Sequence, residues 1–471
     1  MRIKRITEWI ILCAAMSALF LLPLQATVAQ PQDADYRCGF DAAKLHPDAY
    51  ITVLSDTPAE IPVSGYERAL SSRYPEMLSR LRGMADALEL KLDEVLKARI
   101  YVSQLLTESL GACTCVAAAP PATTGGIYSA WNMDLFYLLK LFPVGGWLPL
   151  LTVVEPPDGY RYIQIGIPVL AGIGLLNEKG LSCVVNAVPV ADGGEGLLHM
   201  DLIAMAMESC SHAYEAEELI KGQERFSPGP GVPLDISEFL CLNMQFVDAE
   251  GGIAAIEYSH NHFAAFHGED GISAQTNLHQ FLDPALTGCP VEEPAMMGTT
   301  MRLYRAWDLV RENRGSIDLD TIESIMTDRA IVPLPEETDP DRYSENPQYQ
   351  QSISRAPNLQ LTCRRYLGDE MGLKDLLKSV AMAGGTVFSL IIEPERKIIH
   401  WSVGLPDVHG YTPIYCADLL RSEGTRGTNW LTAFVRVSSG LGHLIYVVPV
   451  CPDVMAMSHG RLVKLLIRLG S

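Results

Sequence analysis

A chain of 471 residues, 48% hydrophobic and 20% charged, is long enough for one large core or two ordinary ones and too apolar to stay disordered. Its 36 Lys and Arg stand against 56 Asp and Glu, a formal net charge of −20 with no long basic run to offset it. That field repels a polyanion, which excludes nucleic acid as a partner.

Residues 1–29 carry the marks of an export signal. Arg2, Lys4 and Arg5 form a basic start, the apolar run "WIILCAAMSALFLLPL" follows, and small residues place a cut after Ala29. The run is short for a membrane-spanning helix, which needs roughly 20 apolar residues. Cleavage is therefore expected over an uncleaved anchor, and contact with a membrane only if the signal stays. The mature chain is expected outside the cytoplasm, in a periplasm or the extracellular space. Of the eleven cysteines, Cys13 leaves with the signal. An oxidising compartment permits disulfides, but Cys183, Cys210 and Cys241 lie in apolar stretches without clustered spacing and read as buried thiols.

Residues 64–110 repeat Leu and Met at helical spacing with Glu and Lys between, which predicts helix. At "CTCVAAA" (113–119) the composition changes to small and β-branched residues. "GGIYSAWNMDLF" (125–136) predicts a turn and a strand, and "PLLTVVEPPDGYRYIQIGIP" (149–168) a hairpin tipped by Pro-Pro-Asp-Gly. "GIGLLNEKGLSCVVNAVPV" predicts strand, turn and strand, turning at 177–180. The stretch 200–222 has helical periodicity ending at Gly222. "LNMQFVDAEGGIAAIEYSHNHFAAFHG" (242–268) predicts a hairpin turning at 249–252. Two helices follow in "MRLYRAWDLVREN" and "DLDTIESIMTDRA", then a surface loop over 333–357 and a hairpin around 393–396. Strands and helices come in blocks, which predicts a layered α+β fold with a mainly antiparallel sheet and excludes a doubly wound one.

Several features invite a function and are outweighed by a plainer reading. "GIGLLN" lacks the third glycine and the following helix of a dinucleotide loop. "HNH" (260–262) is expected on a strand as surface or packing residues. Arg302 and Arg305, on a predicted helix, are expected as solvated surface charge. Cys113 and Cys115 lack a second ligand pair at metal-binding spacing. No metal or cofactor is expected, and the pair is left as buried thiols, a disulfide or a nucleophile.

In their order, "RGMADALELKLDEVLKARI", "GACTCVAA", "WNMDLF", "GLLNEKGLSCVVNAV", "FVDAEGGIAAIEYS", "QTNLHQFLDP", "RLYRAWDLV" and "HWSVGLPDVHGYTPI" resemble the acyl-coenzyme A:6-aminopenicillanic acid acyltransferase family of N-terminal nucleophile hydrolases. The resemblance spans roughly residues 60–414. It implies a four-layer αββα sandwich and a precursor that cuts itself before a cysteine. Cys113 takes the nucleophile position and Ala112–Cys113 the cut, with Thr114 and Asn132 in supporting positions. Asn277 matches an oxyanion donor, whose loss from such a site costs about 3–4 kcal/mol. Asp134 matches a residue orienting the new amine. The chain is thereby divided into a signal (1–29), a helical pro-segment that stays as a small subunit (30–112), a catalytic domain (113–420) and a tail without assigned role (421–471). Three departures stand out: Ala112 for glycine, Met133 for tryptophan, and Leu278 between Asn277 and His279.

The chemistry suits a freed Cys113. A thiol titrates near 8.5 and an α-amine near 7.7–8.0, so nucleophile and base occupy one residue. The eleven histidines form no triad pattern. The expected activity is hydrolysis of a linear amide through an acyl-thioenzyme. The alternatives are acyl transfer from a thioester donor and an unprocessed, silent binding protein. The expected partners are a small N-acyl amide or thioester and the chain's own N-terminal segment.

Overall fold

The computed structural model describes residues 33–45, 57–109, 112–136, 151–167, 169–227, 240–288, 294–330, 384–403 and 405–421, a few single residues between 47 and 54, Ile353, and the backbone of 432–439 and 442–449. The expected signal and nearly all of the 333–357 loop lie outside them.

Four helices open the described chain: α1 Ala34–Leu45, α2 Ser64–Arg73, α3 Pro75–Ala87 and α4 Leu92–Ser109. Pro75 separates α2 from α3 because it fits a first helical position and cannot continue the preceding helix. α1 and α3 cross closely. A Cβ on Gly39 would stand 1.7 Å from the Arg80 carbonyl oxygen, and one on Gly83 would stand 1.9 Å from that of Tyr36.

Strands follow from Ala112: β1 Ala112–Ala118, β2 Tyr128–Phe136, β3 Leu151–Val154, β4 Tyr162–Ile167, β5 Ala171–Asn177 and β6 Ser182–Pro189. The helical stretch expected over 200–222 is two helices, α5 His199–Ser209 and α6 Ala213–Lys221. Cys210 is extended and Glu215 caps the second helix, its carboxylate accepting the Ser211 and His212 N–H groups at 2.8 and 3.1 Å. Next come β7 Leu240–Val247, β8 Ile253–Tyr258, β9 Phe263–Phe266 and β10 Ile272–Gln275. Then come α7 Pro294–Glu312 and α8 Leu319–Met326, followed by β11 Gly384–Glu393, β12 Ile398–Val403 and β13 Thr412–Tyr415. The tail adds β14 Thr432–Ser439 and β15 Gly442–Pro449.

All pairings in the two sheets are antiparallel. The smaller sheet runs β10-β1-β2-β11-β12-β13 and the larger β15-β14-β3-β4-β5-β6-β7-β8-β9. The inner faces of β1 and β2 pack on β6 and β7. α7 and α8 cover the outer face of the smaller sheet, and α4, α5 and α6 that of the larger. The chain is therefore α+β, a four-layer αββα sandwich. The predicted hairpins at 151–167, 171–189, 240–258 and 384–403 are present with their predicted turns. The tail strands join the larger sheet through β14 beside β3.

Part of the inter-sheet core is apolar and aromatic. Trp131 meets Phe388 edge-on at 5.3 Å between centroids, and Phe388 stacks on Trp401 at 5.0 Å. The N-terminal helices carry buried charge. Arg80 binds Asp35 at 2.7 Å and grips both Glu208 oxygens at 2.6 and 3.0 Å. Arg99 binds Asp201 and the carbonyls of Val169 and Leu170, and Tyr66 accepts from it at 2.8 Å.

Candidate active site

β10 ends at Gln275, opposite Cys115. Beyond that point no strand among the described residues pairs with β1 on that side, so the buried Cys113 N–H needs another acceptor. Asn277, two residues past the end of β10, supplies it: Cys113 N donates to Asn277 Oδ1 at 2.7 Å. Arg302 Nη2 donates to the same oxygen at 2.9 Å, and Asn277 Nδ2 donates to the Ala187 carbonyl at 2.9 Å. Two donors on one side and an acceptor on the other fix which way the carboxamide faces. Sequence reasoning expected an oxyanion donor here. In the intact chain the oxygen, not the amide nitrogen, faces the Cys113 N–H.

The loop carrying Asn277 is held from below. Glu257, buried on β8, accepts the N–H groups of Gln280, Phe281 and Leu282 at 2.8, 2.8 and 3.0 Å. Asn243 Nδ2 donates to the Leu278 carbonyl at 2.8 Å. Leu278 is 4% exposed and packs with the α7 side of the core, while His279 Nδ1 reaches Thr287 Oγ1 at 3.0 Å. The inserted leucine is thus accommodated as a core residue.

Strand alternation sorts the remaining candidates. Cys113 pairs with Met133, and Cys115 with Trp131, on the face toward the larger sheet. Ala112, Thr114, Asn132 and Asp134 alternate onto the opposite face. Thr114 and Asn132, expected to support the nucleophile, lie on the helix side of the sheet. Asn132 Nδ2 donates to the Met326 carbonyl at 2.9 Å and the Ile353 carbonyl at 2.8 Å, which ties down the end of α8. Asp134 stands opposite Ala112 and accepts from Thr386 Oγ1 at 2.7 Å.

Both thiols are wholly buried. Burial first, then the Asp134 charge, pushes Cys113 up to about 12. The Trp131 side chain, the Asp134 backbone N–H and the Arg302 charge pull the other way. Burial holds Cys115 well above the ordinary thiol range, and the neighbouring thiols of Cys113 and Cys183 add to it. In the intact chain burial thus disfavours the thiolate of both. Freeing the Cys113 nitrogen would alter this, because it places an amine on the same residue, already oriented by Asn277.

Arg302 was missed by sequence reasoning. It is fully buried, where surface charge was expected. Its signal was position: it lies one turn before Ala306 on the stripe with Leu303 and Val310 that packs on the smaller sheet. Arg305 is solvent-side and pairs with Asp328 at 2.7 and 3.0 Å. "HNH" is not on a strand but in the bend between β8 and β9, where His260 Nδ1 meets the Arg225 carbonyl at 2.6 Å. Among the described residues no three His, Cys, Asp or Glu side chains gather as metal ligands.

No family model matches this chain, and no curated protein matches it in sequence. Among solved structures, two variants of conjugated bile acid hydrolase from Clostridium perfringens are similar at 13% identity and a TM-score of 0.40. They cover 68% and 65% of this chain, and 96% and 93% of their own. Penicillin V acylase from Agrobacterium tumefaciens is similar at 14% identity and a TM-score of 0.34, over 64% of this chain and 86% of that one. At these values the likeness says nothing of what this chain binds or does.

Proposed function

We propose that this chain is a cysteine N-terminal nucleophile enzyme that cuts its own Ala112–Cys113 bond and then hydrolyses a linear amide. The observation that supports the reading is the Cys113 nitrogen, held at 2.7 Å by Asn277 Oδ1, which Arg302 holds in turn. The acceptor that completes the ladder in the intact chain would keep a freed α-amine beside its own sulfur, where it must stay to act as base.

The Arg302 charge favours a neutral amine, which can accept a proton, while Asp134 and the accepting oxygen of Asn277 favour the protonated form. In the reaction the thiol proton passes to the amine and sulfur attacks the amide carbonyl. The amine then protonates the leaving nitrogen, and water releases the acid. We further propose export through the 1–29 signal, and retention of 30–112 as a small subunit. The latter is supported by the two buried charge networks of Arg80 and Arg99 with α5. Acyl transfer from a thioester is the alternative; export from the cytoplasm, where acyl-coenzyme A is made, favours hydrolysis.

Denaturing mass spectrometry of the purified protein tests the reading. Two fragments are expected, the larger beginning at Cys113, and Cys113→Ala is expected to stay intact and inactive. Wild type that remains one chain, indistinguishable from Cys113→Ala, overturns it in favour of an unprocessed binding protein. N-acyl amides assayed beside thioester donors separate hydrolase from transferase.

A further inference from the structure

Behind Cys113 the two sheets enclose a polar cell. On the smaller sheet Cys115 stands directly across from Gln275. On the larger sheet Asn186 stands directly across from Asn243. Asn186 lies against the Cys115 thiol. Gln245 Nε2 crosses between the sheets to Ser273 Oγ at 3.0 Å, and Asn243 Nδ2 crosses to the Leu278 carbonyl at 2.8 Å. These two crossings flank Gln275, since Ser273 and Gln275 share a strand face and Leu278 follows them.

All four amide side chains are completely buried. Among the described residues, six of their polar atoms make no hydrogen bond: Asn186 Nδ2 and Oδ1, Gln275 Nε2 and Oε1, Asn243 Oδ1 and Gln245 Oε1. Buried polar atoms are nearly always satisfied, and leaving several unpaired in one place is among the costliest arrangements a core can hold. The two crossings hold Asn243 and Gln245 in place, and no amide nitrogen of the four reaches an oxygen of another. Water bridges such groups, since each molecule both donates and accepts and needs two to four polar partners.

We infer that this cell is a built site for internal water, and that its water reaches the acyl group on Cys113, two residues along the same strand face from Cys115. The role, though not the site, rests on the cysteine-hydrolase reading. In deacylation the water oxygen bonds to the thioester carbon and the carbon–sulfur bond breaks. The water's hydroxyl leaves with the acid, and its proton ends on the Cys113 sulfur by way of the amine. An acyl-enzyme fed from within does not wait for bulk solvent to enter an occupied pocket.

Two measurements decide it. A high-resolution crystal structure of the wild-type protein is expected to show ordered water bonded to Gln275 and Asn186. Direct pairing of the four amides with nothing between them, or a metal ion coordinated by their carbonyls, overturns the site. For the role, the processed enzyme is acylated with p-nitrophenyl acetate and its deacylation followed in water and with added hydroxylamine. Gln275→Met, close in volume but unable to hold water, is expected to slow hydrolysis tenfold or more and to leave the nitrophenol burst and hydroxylamine release unchanged. Equal loss of both releases, or of neither, overturns the role; should the variant not fold, Gln245→Met meets the same two criteria. A protein that never acylates removes the reading of Cys113 and the role with it, while the electron density still decides the site.

Discussion

Replacing Asn277 with aspartate alters the charge beside the nucleophile with almost no change of shape. The carboxylate can still accept from Cys113 N and from Arg302, which now lie 2.7 and 2.9 Å from Oδ1. What changes is a full negative charge within about 5 Å of amine and thiol, worth about 3 kcal/mol at an effective dielectric near 20. Arg302 holds the same oxygen in both proteins, so its charge cancels in the comparison and the added charge amounts to a shift of roughly two pK units. The sign is fixed: negative charge favours the ammonium and disfavours the thiolate, so both groups titrate higher. In the processed protein, alkylation of Cys113 by iodoacetamide, followed on its own peptide by mass spectrometry across neutral and alkaline pH, is expected to shift to higher pH by about that amount. Asn277→Ala removes the acceptor altogether and is expected to impair self-cleavage instead. An Asn277→Asp curve that stays in place, or moves to lower pH, would refute the placement of Asn277 against the amine.

Other consequences follow from the buried charges. Arg80→Met strands the carboxylates of Asp35 and Glu208 in the interior, and breaking such a pair costs about 3–5 kcal/mol. Chemical denaturation should register that loss, and gel filtration of the processed variant should show release of the N-terminal fragment; retention at full stability would contradict the buried network. Burial first, and Arg99 second, drives His199 down to about 3. Above about pH 6.5 it is neutral in folded and unfolded chains alike. Below that only the unfolded chain takes the proton, so stability falls toward pH 3 by on the order of 1 kcal/mol per pH unit. His199→Gln should flatten that slope in acid-denaturation curves, and an unchanged slope would show His199 to be protonated in the fold. Asn132→Ala should lower stability through its two lost bonds to the end of α8, with the alkylation curve of Cys113 unmoved; a shifted curve would return Asn132 to the site.

Local pattern carried most of the fold. Leu and Met at helical spacing located the helices before Ala112, and turn residues at 177–180, 249–252 and 393–396 located three hairpins, because these signals act over a few residues. The break at 210–212 was hidden, since apolar periodicity continues across it and only the Glu215 cap interrupts it. The third strand, β9, was likewise absorbed into the preceding hairpin.

What the sequence determined by itself was the layered α+β class, which follows from composition and the order of short segments. Orientation was not available to it. Thr114 and Asn132 neighbour Cys113 in the chain and in the sheet, yet alternation turns them to the other face. Arg302 is far away in sequence and reads as surface charge until α7 is laid on the smaller sheet. Asn277 stood out in the sequence, but whether its oxygen or its nitrogen faces Cys113 depends on which donors and acceptors surround it, Arg302 and Cys113 on one side and the Ala187 carbonyl on the other. Those neighbours lie on different elements, and only the packing of the two sheets and α7 brings them to one point.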